Sequence, residues 1–335
     1  MVHVASDVSA LLQRREVLAY EQRVARSAYA YGVDLRRTQW LDNSTFGEPI
    51  MRAVDRKWNT LVADLSGSIL QDASRSAPLT LMEEIARIAR LLRAPMPTLR
   101  LLVRGLAPQR WPCITPLGTT KGAVHWLVVD PDLLGALPAH ERAFLIGSAL
   151  ADLQCDHGPV YSAHLMTDRA QRGNGVVRLL MRPWAFVGAF SADRGGLIAC
   201  GDLATAISAL RVHGDGIVPW LPARPPLAQR EAALGDFDRS STMTRLRVLL
   251  ERNRIAAQEL SVIETRTPPS PPPVTDTAAT AQEAPAESDR DPYRRAAAPP
   301  EPKAPERDEE MERALAGAWS LARCDARLTR RLGLL

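Results

Sequence analysis

Along most of the chain, hydrophobic side chains recur at the three- and four-residue spacing of helices that bury one face. Leu11, Leu12, Leu18, Val24 and Ala28 predict a helix over 7–31, with Asp7 placed to cap it and Gly32 to end it. Met51, Val54, Trp58, Leu61, Leu65 and Ile69 stripe a second over 48–71, whose Pro49 is tolerated in the first turn. A third spans 80–93, where Thr80 and Glu83 read as a capping box and Pro95 and Pro97 as the stop. The pattern then changes. Residues 99–104 (LRLLVR) and 123–129 (AVHWLVV) predict two strands. The intervening ITPLGTTKG reads as turn chemistry, which makes the pair a small antiparallel sheet. Helical spacing resumes over 138–156, after a helical turn at 131–137, and continues through 158–171, 176–200, 202–213 and 241–260. The expected fold class is mostly α with a small β-sheet (α+β).

Composition changes this picture near the C-terminus. Residues 265–307 are dominated by Pro, Ala, Thr and acidic side chains, with Val274 and Tyr293 almost the only core formers. Such a segment cannot bury enough apolar area to offset its ordering entropy and predicts a disordered linker. After it, Met311, Leu315, Trp319, Leu321 and Leu328 give residues 308–335 an apolar side, with acids first and arginines last, as the helix dipole favours. The organisation expected is an N-terminal helical region over 1–78 packing on a main domain over 79–262, then the linker over 263–307 and a C-terminal amphipathic helix over 308–335.

Charge narrows the partners. The formal net charge is +4, from 42 Lys and Arg against 38 Asp and Glu, and almost all of the positive charge is arginine. Acids and bases are interleaved without a basic stripe, which argues against nucleic acid. The longest apolar region, 176–201, is interrupted by Arg178, Arg182, Asp193 and Arg194, so no membrane span is expected. The first residues lack the basic start and apolar block of a secretory signal, and a cytoplasmic location is expected. Cys113, Cys155, Cys200 and Cys324 are scattered and read as reduced thiols.

Two segments carry candidate chemistry. HWLVVDPDLLGALPAHERAFLIGSALADLQCDH, residues 125–157, reads as strand, short turn, then a helix starting near Pro138. WAFVGAFSADRGGLIACGDLATAISAL, residues 184–210, supplies a second helix. Through Glu141, Phe144, Leu145, Ile146 and Gly147 in the first, and Ala192, Asp193, Arg194, Gly196 and Leu197 in the second, the chain resembles the HtpX-type zinc metallopeptidases. These are gluzincins, the group that includes the CAAX prenyl proteases. The resemblance covers residues 80–215. It implies a helix bearing His-Glu-x-x-His, whose histidines at i and i+4 hold Zn²⁺ while the glutamate takes a proton from the bound water. It also implies a third ligand, a glutamate, on the second helix.

The chemical positions are altered here. Ser148 stands at the first histidine, Ala149 at the base, Asp152 at the second histidine and Ala189 at the third ligand. Asp193, which the family uses to support a ligand, is left a structural role, pairing with an arginine or capping a backbone donor. Ser148, Asp152 and Asp193 are expected to line a small polar patch between the two helices. A displaced metal site would draw on Asp152, His157, His164 or Asp193, but their spacing is not a ligand pattern, and His157 is expected to meet the carbonyls of a helix end. No catalytic residue, metal or cofactor is therefore expected. The function implied is an inactive metallopeptidase-like module that binds or scaffolds a protein or peptide partner. The alternatives are a zinc-dependent metalloendopeptidase with non-standard ligands, and a purely structural helical module in which the helices over 138–156 and 183–200 do not pack together.

Overall fold

A computed structural model describes residues 18–45, 47–66, 69–72, 78–103, 111–120, 124–170, 174–213, 221–252 and 309–333. The expected cap at Asp7 and the linker over 263–307 lie outside them. The chain is mostly helical, with one small mixed sheet. Helix α1 covers 18–29, followed by α2 (Gly32–Asn43) and α3 (Gly47–Ser66). Strand β1 (Leu70–Asp72) leads to α4 (Leu79–Leu92), then β2 (Thr98–Leu102), β3 (Ile114–Gly118) and β4 (His125–Val129). Next come α5 (Pro131–Gly135), α6 (Ala139–Gln154), α7 (Gly158–Ala170), α8 (Asn174–Cys200), α9 (Leu203–His213), α10 (Leu227–Asp238) and α11 over 241–252.

The sheet differs from the simple antiparallel pair. Its order is β1-β2-β4-β3. β2 and β4 run parallel, with Leu99 opposite Leu127. The segment ITPLG is a strand rather than a turn: β3 pairs antiparallel with β4, Ile114 opposite Val129. Pro116 is compatible with this because β3 lies at the sheet edge, where a missing donor is tolerated. The central strand β4 is covered on both faces. Leu127 and Val129 pack with Ile85 and Ile88 of α4 and Ile146 and Leu150 of α6, while Trp126 and Val128 pack with Trp58 and Leu61 of α3 and Tyr161 of α7. Burial on both sides explains why HWLVV is a continuous apolar run instead of an alternating one. β1, from the N-terminal region, completes the same sheet through Leu70 opposite Leu102.

Two helix starts are capped differently from one another. Asp130 caps α5, its carboxylate accepting from the backbone of Asp132 and Leu133 at 3.1 and 2.9 Å. The Thr80–Glu83 capping box does not form, because the N-cap of α4 is Pro78 and makes no side-chain hydrogen bond.

Helices α6 and α8 lie antiparallel and in very close contact. A Cβ on Gly147 would stand 2.4 Å from Ala199 Cβ and 2.8 Å from the Gly195 carbonyl, and one on Gly195 would stand 2.3 Å from Ala151 Cβ. Glycine at these positions is what lets the two backbones approach.

The C-terminal region is two helices, not one: α12 (Glu309–Ala316) and α13 (Leu321–Arg331). The break falls where Trp319 forms a bridge with Ser240 and donates its N–H to the Arg239 carbonyl at 3.0 Å. Ser320 then caps α13. The arm docks on its own chain. Cys324 and Leu328 are buried, Asp325 accepts from Arg194 at 2.6 Å, and Arg331 meets the buried Asp236 at 2.8 Å.

Candidate functional site

The contact of α6 with α8 sets the site. Ser148, Ala149 and Asp152 leave one side of α6, and Ala192 and Asp193 leave the facing side of α8. All five line one cavity of about 440 Å³. Much of the remaining wall is apolar, with Trp111 and Ile114 on the edge-strand side, Leu133 and Leu145, and Leu210 and Val212 from α9, while His213, Arg224 and Arg230 add charge to it. Ala189 lines a second void of about 10 Å³ shared with Asp152, His157, Gly188 and Trp184. Ser148 Oγ is shielded against Gly196 and Phe144, and it has no hydrogen-bond partner among the described residues.

His157 reaches this site through the way α6 ends. Asp156 takes a left-handed conformation (φ 61°), and the His157 N–H bonds back to the Asp152 carbonyl at 2.8 Å. This is the Schellman pattern with aspartate in the place usually taken by glycine. It turns the imidazole inward rather than toward the terminal carbonyls, which corrects the expectation for a histidine at a helix end. Nδ1 lies 2.8 Å from Asp152 Oδ1, and Nε2 lies 2.9 Å from Asp34 Oδ1, with all three residues buried. Two carboxylate acceptors on one ring require two N–H donors, so the ring is an imidazolium. Burial by itself would lower the pKa of His157, but the Asp34 charge and the hydrogen bonds to Asp152 and Asp34 outweigh it and raise it to about 10.

The network extends both ways. Tyr161 donates to Asp152 Oδ2 at 2.8 Å, and Arg224 donates to Tyr161 Oη at 3.4 Å. On the other side the Ser191 hydroxyl donates to Asp34, and the Tyr31 N–H donates to Ser191 Oγ at 3.0 Å. Gly188 makes room for the ring, since a Cβ there would stand 2.7 Å from His157 Cε1.

Asp193 pairs with an arginine, as expected of its structural role. Arg230 of α10 holds it bidentately, Nε on Oδ2 at 2.8 Å and Nη2 on Oδ1 at 2.6 Å. Its neighbour Arg194 points elsewhere, to the Tyr29 carbonyl at 3.1 Å, to Asp325, and over the Phe237 ring at 4.9 Å. The two adjacent residues thus tie α10 and α13 to α8.

These residues do not fit the zinc implied by the resemblance. Ser148, Ala149 and Ala189 offer no imidazole or carboxylate, and both oxygens of Asp152 are already engaged by His157 and Tyr161. Among the described residues, no group of three or more His, Cys, Asp or Glu side chains is placed to hold a metal. His164 is buried on α7 but lines neither cavity that borders Asp152. Nothing in the hydrophobic pattern marks Asp34, Tyr161, Arg224 or Arg230, which complete the site. Asp34 and Arg230 lie on helices with no apolar stripe to announce them. No protein-family model, curated protein or solved structure matches the chain.

Proposed function

We propose that this chain is a non-catalytic, metallopeptidase-like module that binds a peptide or an extended segment of a protein in the cleft between β3 and α6. The observation that carries the proposal is the Asp34–His157–Asp152 chain. The cation beside the former second-ligand position is an imidazolium with both nitrogens occupied. The helix pair that the resemblance requires is present, and so is the apolar cleft beside it, which supports a retained frame with altered chemistry. Peptide hydrolysis by such a metallopeptidase needs a Lewis acid and a base at the scissile carbonyl, and positions 148, 149, 152 and 189 supply neither. Within the described residues no helix is long and apolar enough to cross a membrane.

The test is proteolysis. Purified full-length protein incubated with casein and with insulin B chain is expected to release no fragments above buffer, with or without added zinc. Cleavage that 1,10-phenanthroline abolishes would overturn the proposal in favour of an enzyme with unusual ligands.

A further inference from the structure

We infer that the groove between α2, α8 and α10 is a binding site for a helix carrying Asp-x-x-Leu-x-x-Arg on one face, and that the C-terminal arm of a second copy fills it in an arm-exchanged dimer. The chain's own α13 shows how the groove reads that face. Asp325, Leu328 and Arg331 follow one another at three-residue spacing and so share one side of the helix. Asp325 accepts from Arg194 at 2.6 Å and from the Gly32 N–H, at the start of α2, at 3.0 Å. Leu328 enters an apolar seat made by Tyr31, Val187, Phe190 and Ala233. Arg331 meets Asp236 at 2.8 Å. An anion, an apolar plug and a cation are thus received in order by a cation, an apolar seat and an anion. None of these groove residues lines the cleft.

The groove needs an occupant. Arg194 and Asp236 are buried, and Asp325 is the one carboxylate that Arg194 meets among the described residues. An empty groove would leave Arg194 without a carboxylate, and Asp236 with only Arg239 from the end of its own helix. A buried charge stripped of its partner is strongly disfavoured, so an arm leaves readily only when an equivalent arm replaces it. The arm is otherwise held at Trp319, whose ring meets Arg239 and Arg327 at 4.9 and 4.8 Å, while α12 buries no residue. Residues 253–308 join the arm to α11. A chain of that length spans up to roughly 190 Å when extended, enough to reach the groove of a neighbouring copy. A second copy is favoured over an unrelated helix because it carries the matching face by construction, and reciprocal exchange leaves both grooves full.

The probe is a fluorescein-labelled peptide of residues 317–335, its binding read by fluorescence anisotropy. Leu328→Asp combined with Arg331→Glu should free the groove of the full chain from its own arm, with a thermal transition confirming that the variant folds. The peptide is expected to bind this variant roughly tenfold or more tightly than the unaltered chain, whose groove is filled, and an Asp325→Arg peptide is expected to lose roughly tenfold. Light scattering after size exclusion of the unaltered chain, which needs no variant, reads the exchange. A dimer fraction that grows with concentration, and that excess peptide returns to monomer, is expected. A peptide that binds neither chain, or an Asp325→Arg peptide that binds as well as the parent peptide, would overturn the recognition site. A chain that stays monomeric at every concentration, or a dimer that excess peptide leaves intact, would overturn the second copy as occupant.

Discussion

Replacing His157 with glutamine is expected to cost about 3–5 kcal/mol of folding stability, because it removes the cation from between two buried carboxylates. Glutamine offers amide donors on one end only and cannot bridge both Asp34 and Asp152 with charge. The variant should also lose a pH dependence that the parent has. The folded pKa of His157 is raised to about 10, above its ordinary value of 6.5. A raised pKa means that the folded state holds the proton more tightly than the unfolded state. The stabilisation is therefore complete below pH 6.5 and is lost as pH rises through the folded value. Other shifted groups leave the lower part of this window clear. His125 is lowered by burial, so its effect falls below pH 6.5, and burial pushes Cys113 and Cys155 up from 9.0, so theirs falls above that. Urea unfolding between pH 6.5 and about 9 should show the parent losing stability steadily while His157→Gln stays nearly flat. Parallel curves for the two proteins would contradict the imidazolium.

The second large effect is steric. Gly147→Val should destabilise by about 3 kcal/mol or more, read as a lowered or lost thermal transition. The first added carbon already meets Ala199 Cβ at 2.4 Å and the Gly195 carbonyl at 2.8 Å, and backbone cannot swing aside. Gly235→Ala is the control with the opposite sign. It lies in α10, nothing stands within 4 Å of a Cβ there, and the change should stabilise by about 0.5–1 kcal/mol through helix propensity. Thermal midpoints of the two variants check both. A Gly147→Val protein that melts like its parent would mean that α6 and α8 do not pack this closely.

What the sequence disclosed, and what it concealed, follows from where charge is buried. Helices α3 and α4 carry full apolar stripes, and their positions were legible from Met51 to Leu65 and from Leu81 to Leu92. Helices α2 and α10 were not, because each turns polar groups into the core. Asp34 and Thr38 are buried on α2, and Arg230 and Asp236 on α10. A stripe built of ion pairs has no hydrophobic period to read. The parallel β2–β4 pairing was hidden for a different reason. ITPLG carries a proline and a glycine that resemble a turn, yet an edge strand accepts both. The break between α12 and α13 depends on Trp319 pairing with Ser240, some eighty positions away, which no local pattern encodes.

The candidate site divides along the same line. The resemblance, through its two matched helices, places Ser148, Asp152 and Asp193 together, and they do line one cavity. Their partners were not visible, since Asp34, Arg224 and Arg230 arrive from elements distant in the chain. His157 was visible as a residue, but its direction follows from the left-handed turn at Asp156, a conformation that an aspartate does not advertise.

An imidazolium held between Asp34 and Asp152 occupies this site. Nitrogen-detected NMR of histidine-labelled, full-length protein at about pH 8, where an ordinary imidazole is neutral, tests it most directly. His157 is expected to carry protons on both ring nitrogens, and its signals are expected to stay in place when zinc is added. A neutral ring at that pH, or signals that shift with stoichiometric zinc, would contradict it.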